Sequence, residues 1–444
     1  MLRALGLSQI EELFRDIPPK ARVQGLGLPP AREEEEVIRE VDRLLRPNRP
    51  LEDFDSFLGG GIYSRPVPAL VDGILQRSEF YTSYTQYQPE ASQGMLQALF
   101  EFQSLWVELT GMEVSNASLY DGGTARGEAL LMARRLHEGN RFLVPSTLSW
   151  ETKSILKNYG KGPGAHLVEI PQDPETGRLD LDFISRESRK DCFGILTEMP
   201  DPLGLLHDEI LDLRSRIGDL PWVVGTDPLA LLGLEPPGDW GADIVVGEGQ
   251  GFGIAPSYGG PLLGLMACRR RDIRQLPGRL VGQTQDHDGR RAFTLTLQTR
   301  EQHIRRSRAT SNICTNQALM TLAFLGYASA LGPRGLFRAL ERSSASAHRL
   351  QEGLSRLPGL RAPAWPLPFL YEFPLRTPSP PRALLDALFQ RGILGGIPFP
   401  EHRPGSPSAP FPGLLVATGP ATDERAVDRY VEAVRSSLPP GGAP

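Results

Sequence analysis

The hydrophobic positions of the chain change period along its length, and those changes outline its elements. From Ser92 onward, Met95, Leu99, Phe102, Trp106 and Leu109 recur at steps of four, three, four and three. That spacing is one face of an amphipathic helix, which Gly111 ends. After the turn YDGGTA, the segment ARGEALLMARRLHEG predicts another helix. Short β-rich runs then alternate with helical ones. RFLVPS precedes WETKSILKNYG, HLVEI precedes DLDFISRES, CFGILTE precedes LLHDEILDLRSRIG, and WVVGTD, ADIVVGE and LLGLMAC follow. Such alternation predicts parallel strands joined by right-handed crossover helices, an α/β sheet covered on both faces.

The two ends of the chain read differently. Residues 1–55 predict a helical arm, with a short helix over Ser8–Arg15, a Gly/Pro loop over Gly25–Pro30 and a second helix through EEEEVIREVDRLL. The glutamates that open this second helix suit the positive end of its dipole. Around Leu331–Pro333 the pattern changes again. LFRALERSSASAHRLQEGLSRL is helical, followed by the short strands FLYEFPL, GILGGI and GLLVAT and by a last helix, DERAVDRYVEAVRSSL. The expected organisation is an arm (1–55), a large α/β domain (56–330) and a smaller α+β domain (331–444), the last with Pro-rich loops at 361–382 and 398–413.

Composition removes several classes of function. The 444 residues are 40% hydrophobic and 23% charged, with a formal net charge of -5, so no face is forced to be basic and no nucleic-acid partner is expected. No apolar run reaches the ~18 residues of a membrane helix, and the N-terminus is too charged for a secretory signal. Cys192, Cys268 and Cys314 are far apart, and no two histidines have metal-ligand spacing, so neither a disulfide framework nor a metal site is suggested. A cytoplasmic location is the expectation. Of 48 basic residues only five are lysines (Lys20, Lys153, Lys157, Lys161 and Lys190). A compositional bias accounts for the count, but its consequence is chemical: no lysine follows residue 190.

That consequence bears on the candidate site. A large parallel sheet followed by a smaller α+β domain is the outline of pyridoxal phosphate (PLP) enzymes of the aspartate-aminotransferase type, fold type I. There an aspartate at a strand end holds the pyridine nitrogen, a lysine on a later strand forms the imine, and phosphate sits at a helix N-terminus. Asp121-Gly122-Gly123-Thr124 stands just before a helix, and Asp227 ends the strand WVVGTD. The lysine is due after ADIVVGE, where the chain reads Gly249-Gln250-Gly251-Phe252. Glutamine cannot form an imine, because its amide nitrogen is not nucleophilic. As a Gly-x-Gly loop this turn also resembles a phosphate cradle, but it lacks the G-x-G-x-x-G spacing and no helix follows, which leaves a structural turn from a degenerate site as the main reading.

Two further stretches each carry two readings. The segment 79–90 crowds Tyr81, Tyr84, Tyr87, Gln86 and Gln88 together before a helix. It is open equally to lining a ligand cleft or interface and to packing as a core-edge loop. The basic run Arg300, His303, Arg305, Arg306 and Arg308 suits either an acidic partner or a solvated helix face, the second being the commoner case.

Three blocks resemble one family. They are SEFYTSYTQYQPEASQGMLQALFEFQSLWVELTGMEVSNASLYDGGTA (78–125), APSYGGPLLG (255–264) and GRLVGQTQDHDGRRAFTLTLQTREQHIRRSRATSNICT (278–315). Together they are similar to the N-terminal half, or α subunit, of the glycine cleavage system P-protein. The resemblance implies an α2β2 assembly whose β subunit carries PLP while the α subunit carries none. It implies decarboxylation of glycine with PLP as electron sink, and transfer of the aminomethyl group to the lipoyl arm of H-protein. It places Tyr81, Tyr84, Tyr87, Gln88 and Asn116 against the active site, and a degenerate cofactor site near Asp121, Thr124, Asp227 and Gln250. The chain departs from the family pattern at Arg65 (usually His), at Gln86 (usually Pro), at Gly419 (usually Glu) and in Arg306-Ser307-Arg308 (usually Arg-Glu-Lys). The departures at Arg65, Gln86 and Gly419 motivate an alternative, a scaffold or regulatory subunit of the same complex. A self-sufficient PLP enzyme is the remaining possibility.

Overall fold

Strand residues that are apolar on both faces call for a sheet covered on both sides, and the computed structural model builds one. It describes residues 1–23, 25–83, 86–399 and 411–438. Seven strands form the main sheet: β2 (Val114–Ser115), β3 (Arg141–Pro145), β4 (His166–Ile170), β5 (Cys192–Glu198), β6 (Trp222–Thr226), β7 (Ile244–Glu248) and β8 (Gly264–Cys268). Their order is β2-β8-β7-β6-β5-β3-β4. The pairs from β4 through β3, β5 and β6 to β7 are parallel, β8 is antiparallel to β7, and β2 is antiparallel to β8. The expected parallel α/β sheet is therefore present, with an antiparallel edge.

Alternate residues of one strand feed opposite cores. Trp222 and Val224 of β6 join one buried cluster with Phe102, Trp106, Phe252 and Phe324, whereas Val223 joins another with Ala125, Leu130, Phe142 and Phe193. The helix Gln93–Thr110 buries Met95, Leu99, Phe102 and Trp106, the stripe its spacing predicts, and Gly111 closes it with φ 64. The helix Gly122–Leu136 covers the other face and begins beside the C-terminal end of β7, where Gly122 meets Gly247 and Glu248. Its N-terminus and the C-terminal ends of β6 and β7 define the site.

A three-stranded antiparallel sheet follows, of β11 (Glu372–Arg376), β13 (Ile397–Pro398) and β14 (Gly413–Ala417), in the order β11-β14-β13. Short strands β1 (Asp55–Ser56) and β12 (Ile393–Leu394) pair in parallel. The hairpin of β9 (Val281–Gln285) and β10 (Arg291–Leu295) was not among the expected elements; its outer positions are polar and hide the alternation. At Leu331–Pro333, where the sequence pattern changes, Gly332 (φ 60, ψ 176) interrupts the helical backbone ahead of Pro333 and divides the helical run Ala318–Ser355 in two. The first half of that run was missed because ALMTLAFLGYASAL is apolar almost all round and shows no period.

Residues Met1–Asp53 form a separate compact unit from Phe54–Pro444. Within it the expected second helix spans Glu34–Leu45, and the first is a 3-10 turn at Ile10–Phe14. None of its described residues is buried. Among the described residues no helix is long and apolar enough to cross a membrane.

Candidate functional site

The N-terminus of helix Gly122–Leu136 is already occupied by carboxylates. Asp121 is its N-cap, accepting from Thr124 N at 2.6 Å, and Glu248 at the end of β7 accepts from Gly122 N at 2.8 Å. Gly122 permits that approach: a Cβ there would lie 3.0 Å from Glu248 Cβ. Glu248 also accepts from the backbone N–H groups of Gln250 and Leu263, both at 2.9 Å. Burial pushes its carboxyl up to about 7 against the opposing pull of those hydrogen bonds. Thr124 is buried. The donors that would face a phosphate thus face acidic side chains of the protein itself.

Asp227 follows β6, at the expected station, but one of its two carboxylate oxygens is taken. Oδ1 accepts from Arg65 Nη2 at 3.0 Å, from Tyr371 OH at 2.7 Å and from Leu229 N at 2.9 Å. Beside it, Glu372 accepts from Tyr63 OH at 2.9 Å and from Gly60 N at 2.6 Å. Burial raises Glu372 to about 7 and keeps both tyrosines in the protonated form that donates these bonds. Gln250 is buried and turned to the backbone, accepting from Tyr63 N at 2.9 Å and donating to the carbonyls of Tyr63 and Ile254. It holds the segment that carries Arg65 in place.

These residues do not fit PLP. No amine stands at residue 250, the partner for a pyridine nitrogen is bonded to Arg65, and the helix N-terminus is capped by acids. Room is not the obstacle. A cleft of about 1730 Å³ opens alongside, lined in part by Asp121, Arg126, Trp150, Glu198, Asp227, Glu248 and Glu372. Its floor is acidic, and Arg126 is neutralised by Glu198 in an ion pair.

The aromatic segment lies elsewhere and is organised around a buried arginine. Tyr87 is 43% exposed and Tyr81 is 57% exposed, Gln88 is exposed, and Tyr84 lies outside the described residues. Arg279, itself buried, stacks beneath the Tyr87 ring at 5.2 Å and donates to Cys314 O at 2.9 Å, to Asn316 Oδ1 at 3.1 Å and to Tyr87 OH at 3.4 Å. The His303 ring lies 5.6 Å from that of Tyr87. Asn116 is fully buried, donating to Pro277 O at 3.0 Å and accepting from Ser118 N at 3.2 Å. It shapes the turn that carries Arg279 rather than presenting a surface. Gln86 is buried, with its Nε2 directed to Ser83 Oγ at 3.4 Å. In the basic run, Arg300 is buried and donates to the carbonyls of Leu276 and Gly278, while Arg305, Arg306 and Arg308 are exposed. The run is divided between a structural clamp and solvated charge.

Tyr63, Glu248, Glu198, Arg279, Tyr371 and Glu372 were not singled out from the sequence. Arg65 had one signal, its departure from the pattern of similar chains.

Fold and site together define a chain of the PLP-dependent transferase type, fold type I, whose cofactor station is filled by its own side chains. The family model described as glycine cleavage system P-protein matches residues 1–364, and the chain belongs to that family. A relative from Thermomicrobium roseum, named "Probable glycine dehydrogenase (decarboxylating) subunit 1", is 44% identical over 443 residues, covering 98% of this chain and 97% of its own. A solved structure described as glycine decarboxylase (P-protein) of the glycine cleavage system, in inhibitor-bound form, matches with TM-score 0.88 and 39% identity over 99% of this chain and 97% of its own. A sphingosine-1-phosphate lyase of Burkholderia pseudomallei shares the fold at 15% identity, with TM-score 0.64 over 95% of this chain and 94% of its own.

Proposed function

We propose that this chain is the subunit of a two-subunit glycine decarboxylase that carries no PLP of its own. A partner β subunit holds PLP in an α2β2 assembly, and the complex releases CO2 from glycine and passes the aminomethyl group to the lipoyl arm of H-protein. When bound to the partner, PLP supplies the electron sink. The part of this chain is to wall that site. Tyr81, Tyr84, Tyr87 and Gln88 line the approach to it, and Arg279 and Asn116 fix the position of Tyr87. The name "subunit 1" borne by a relative that matches over nearly its whole length supports a division of labour between two chains. The observation that carries the reading is Gln250, buried and bonded to backbone where an imine-forming amine is required. Domain limits of 1–55, 56–330 and 331–444 and a cytoplasmic location belong to the same proposal.

The test is reconstitution with a cognate β subunit and H-protein. Substituting Tyr81, Tyr84 and Tyr87 by Phe lowers glycine–CO2 exchange while sedimentation shows the assembly intact. Exchange at the parental rate refutes the walling role. Weaker assembly with unchanged turnover per complex favours the scaffold reading instead.

A further inference from the structure

Arg65 lies where a cofactor ring is expected, between Asp227 and the turn Gln250–Gly251. Its Nη2 donates to Asp227 Oδ1 at 3.0 Å, and a Cβ on Gly251 would sit 2.2 Å from its Nη1. Only 3% of its side chain is exposed. The guanidinium carbon is 4.9 Å from the Tyr63 ring centroid and 5.6 Å from that of Tyr371, and those two rings meet edge to face at 5.5 Å. What remains beside the cluster is a cavity of about 40 Å³, lined by Tyr63, Asp201, Asp227, Tyr371 and Glu372 among others. That is room on the scale of a single water.

A carboxylate at the edge and aromatic rings around a flat cation are the elements that recognise a planar, delocalised positive charge. The walls come from distant parts of the chain. Asp227 belongs to the main sheet, Tyr371 and Glu372 to the start of β11 in the C-terminal sheet, and Tyr63 to the segment tied to Gln250. Arg65 is the charge these parts share. We propose that this pocket is a binding site for a planar delocalised cation, that the chain fills it permanently with Arg65, and that the filled site fastens the C-terminal sheet to the main sheet. The proposal does not depend on what the subunit does for its partner. It explains why Gly251 carries no side chain. Gly419, whose Cβ would lie 3.0 Å from Ser64 O, packs against the residue preceding Arg65.

The experiment uses the full-length chain with Arg65→Ala, with millimolar methylguanidinium chloride as the probe and sodium chloride at equal ionic strength as the control. The variant loses thermal stability, and amide exchange in Glu372–Arg376 accelerates. Methylguanidinium restores part of both, sodium chloride restores neither, and the parent chain responds to neither. Unchanged stability and exchange in the variant, or equal restoration by the two salts, overturns the proposal. Gly251→Ala decides the matter if Arg65→Ala fails to fold. It keeps both charges and displaces only the guanidinium, so exchange in Glu372–Arg376 accelerates again, and parental protection there overturns the proposal.

Discussion

Among the described residues, two buried arginines sit against tyrosine rings, and they leave their surroundings in opposite states. Arg65 lies between Tyr63 and Tyr371 and is bonded to the carboxylate of Asp227. Arg279 lies beneath Tyr87, and its hydrogen bonds go to neutral oxygens of Cys314, Asn316 and Tyr87. An ion pair closes its region on itself, since the charge of Arg65 is matched by Asp227 within the pocket. A cation held by neutral acceptors keeps its charge, and the ring above it remains on the surface. The same residue types thus make an inert core in one place and a supported, outward-facing aromatic in the other.

Removing the counter-ion at the first region breaks the contrast most severely. Asp227→Ala leaves the Arg65 guanidinium buried without a partner, at a cost of about 3–5 kcal/mol, read as a fall in the urea midpoint of the isolated chain. A variant as stable as the parent would show that the pair is not what closes the pocket. At the second region the expected loss is in activity. Arg279→Met keeps much of the side-chain volume but withdraws the support of Tyr87, and lowers glycine–CO2 exchange in the reconstituted complex by ~10- to 100-fold, on the scale of a misplaced active-site wall. Parental exchange rates would detach Tyr87 from the site.

A third effect concerns pH and sharpens what a closed charge network does. His207 is bonded to Asp201 at 3.2 Å and to Glu209 at 2.9 Å. Burial opposes its charge, but the two carboxylates outweigh burial and lift it to about 9. Its folded value lies above the ordinary ~6.5. The stabilisation is therefore complete below about pH 6.5 and is lost as pH rises through about 9. Thermal midpoints measured across that window decline in the parent chain, and His207→Gln removes this part of the decline. A parallel decline in both proteins would assign it to other groups.

The fold was legible in the sequence where neighbouring residues carry the signal. The stripe from Met95 to Trp106 and the alternation from Arg141 to Cys268 each declare themselves within a few turns or strands. Half of the site was legible for the same reason: the glutamine at residue 250 follows directly on the strand that positions it. The partners of Asp227 were not. Arg65 and Tyr371 stand 162 and 144 positions away, and no local pattern reports a pairing that only chain topology creates. Glu248 was overlooked because a carboxylate at a strand end reads as solvated until the helix N-terminus it caps is in view.

The interruption at Gly332 has a consequence for how the chain tolerates changes of length. The two helical halves that meet there reach two cores, with Phe324 and Tyr327 of the first half in the main one and Leu350 and Leu354 of the second half in the C-terminal one. A residue inserted between Leu336 and Leu354 turns everything after it by about 100° and rolls that apolar stripe toward solvent. At Gly332 the helical path is already broken, so an added residue there leaves each half in its own register. Of the 38 residues in this element, it is the natural place for one more.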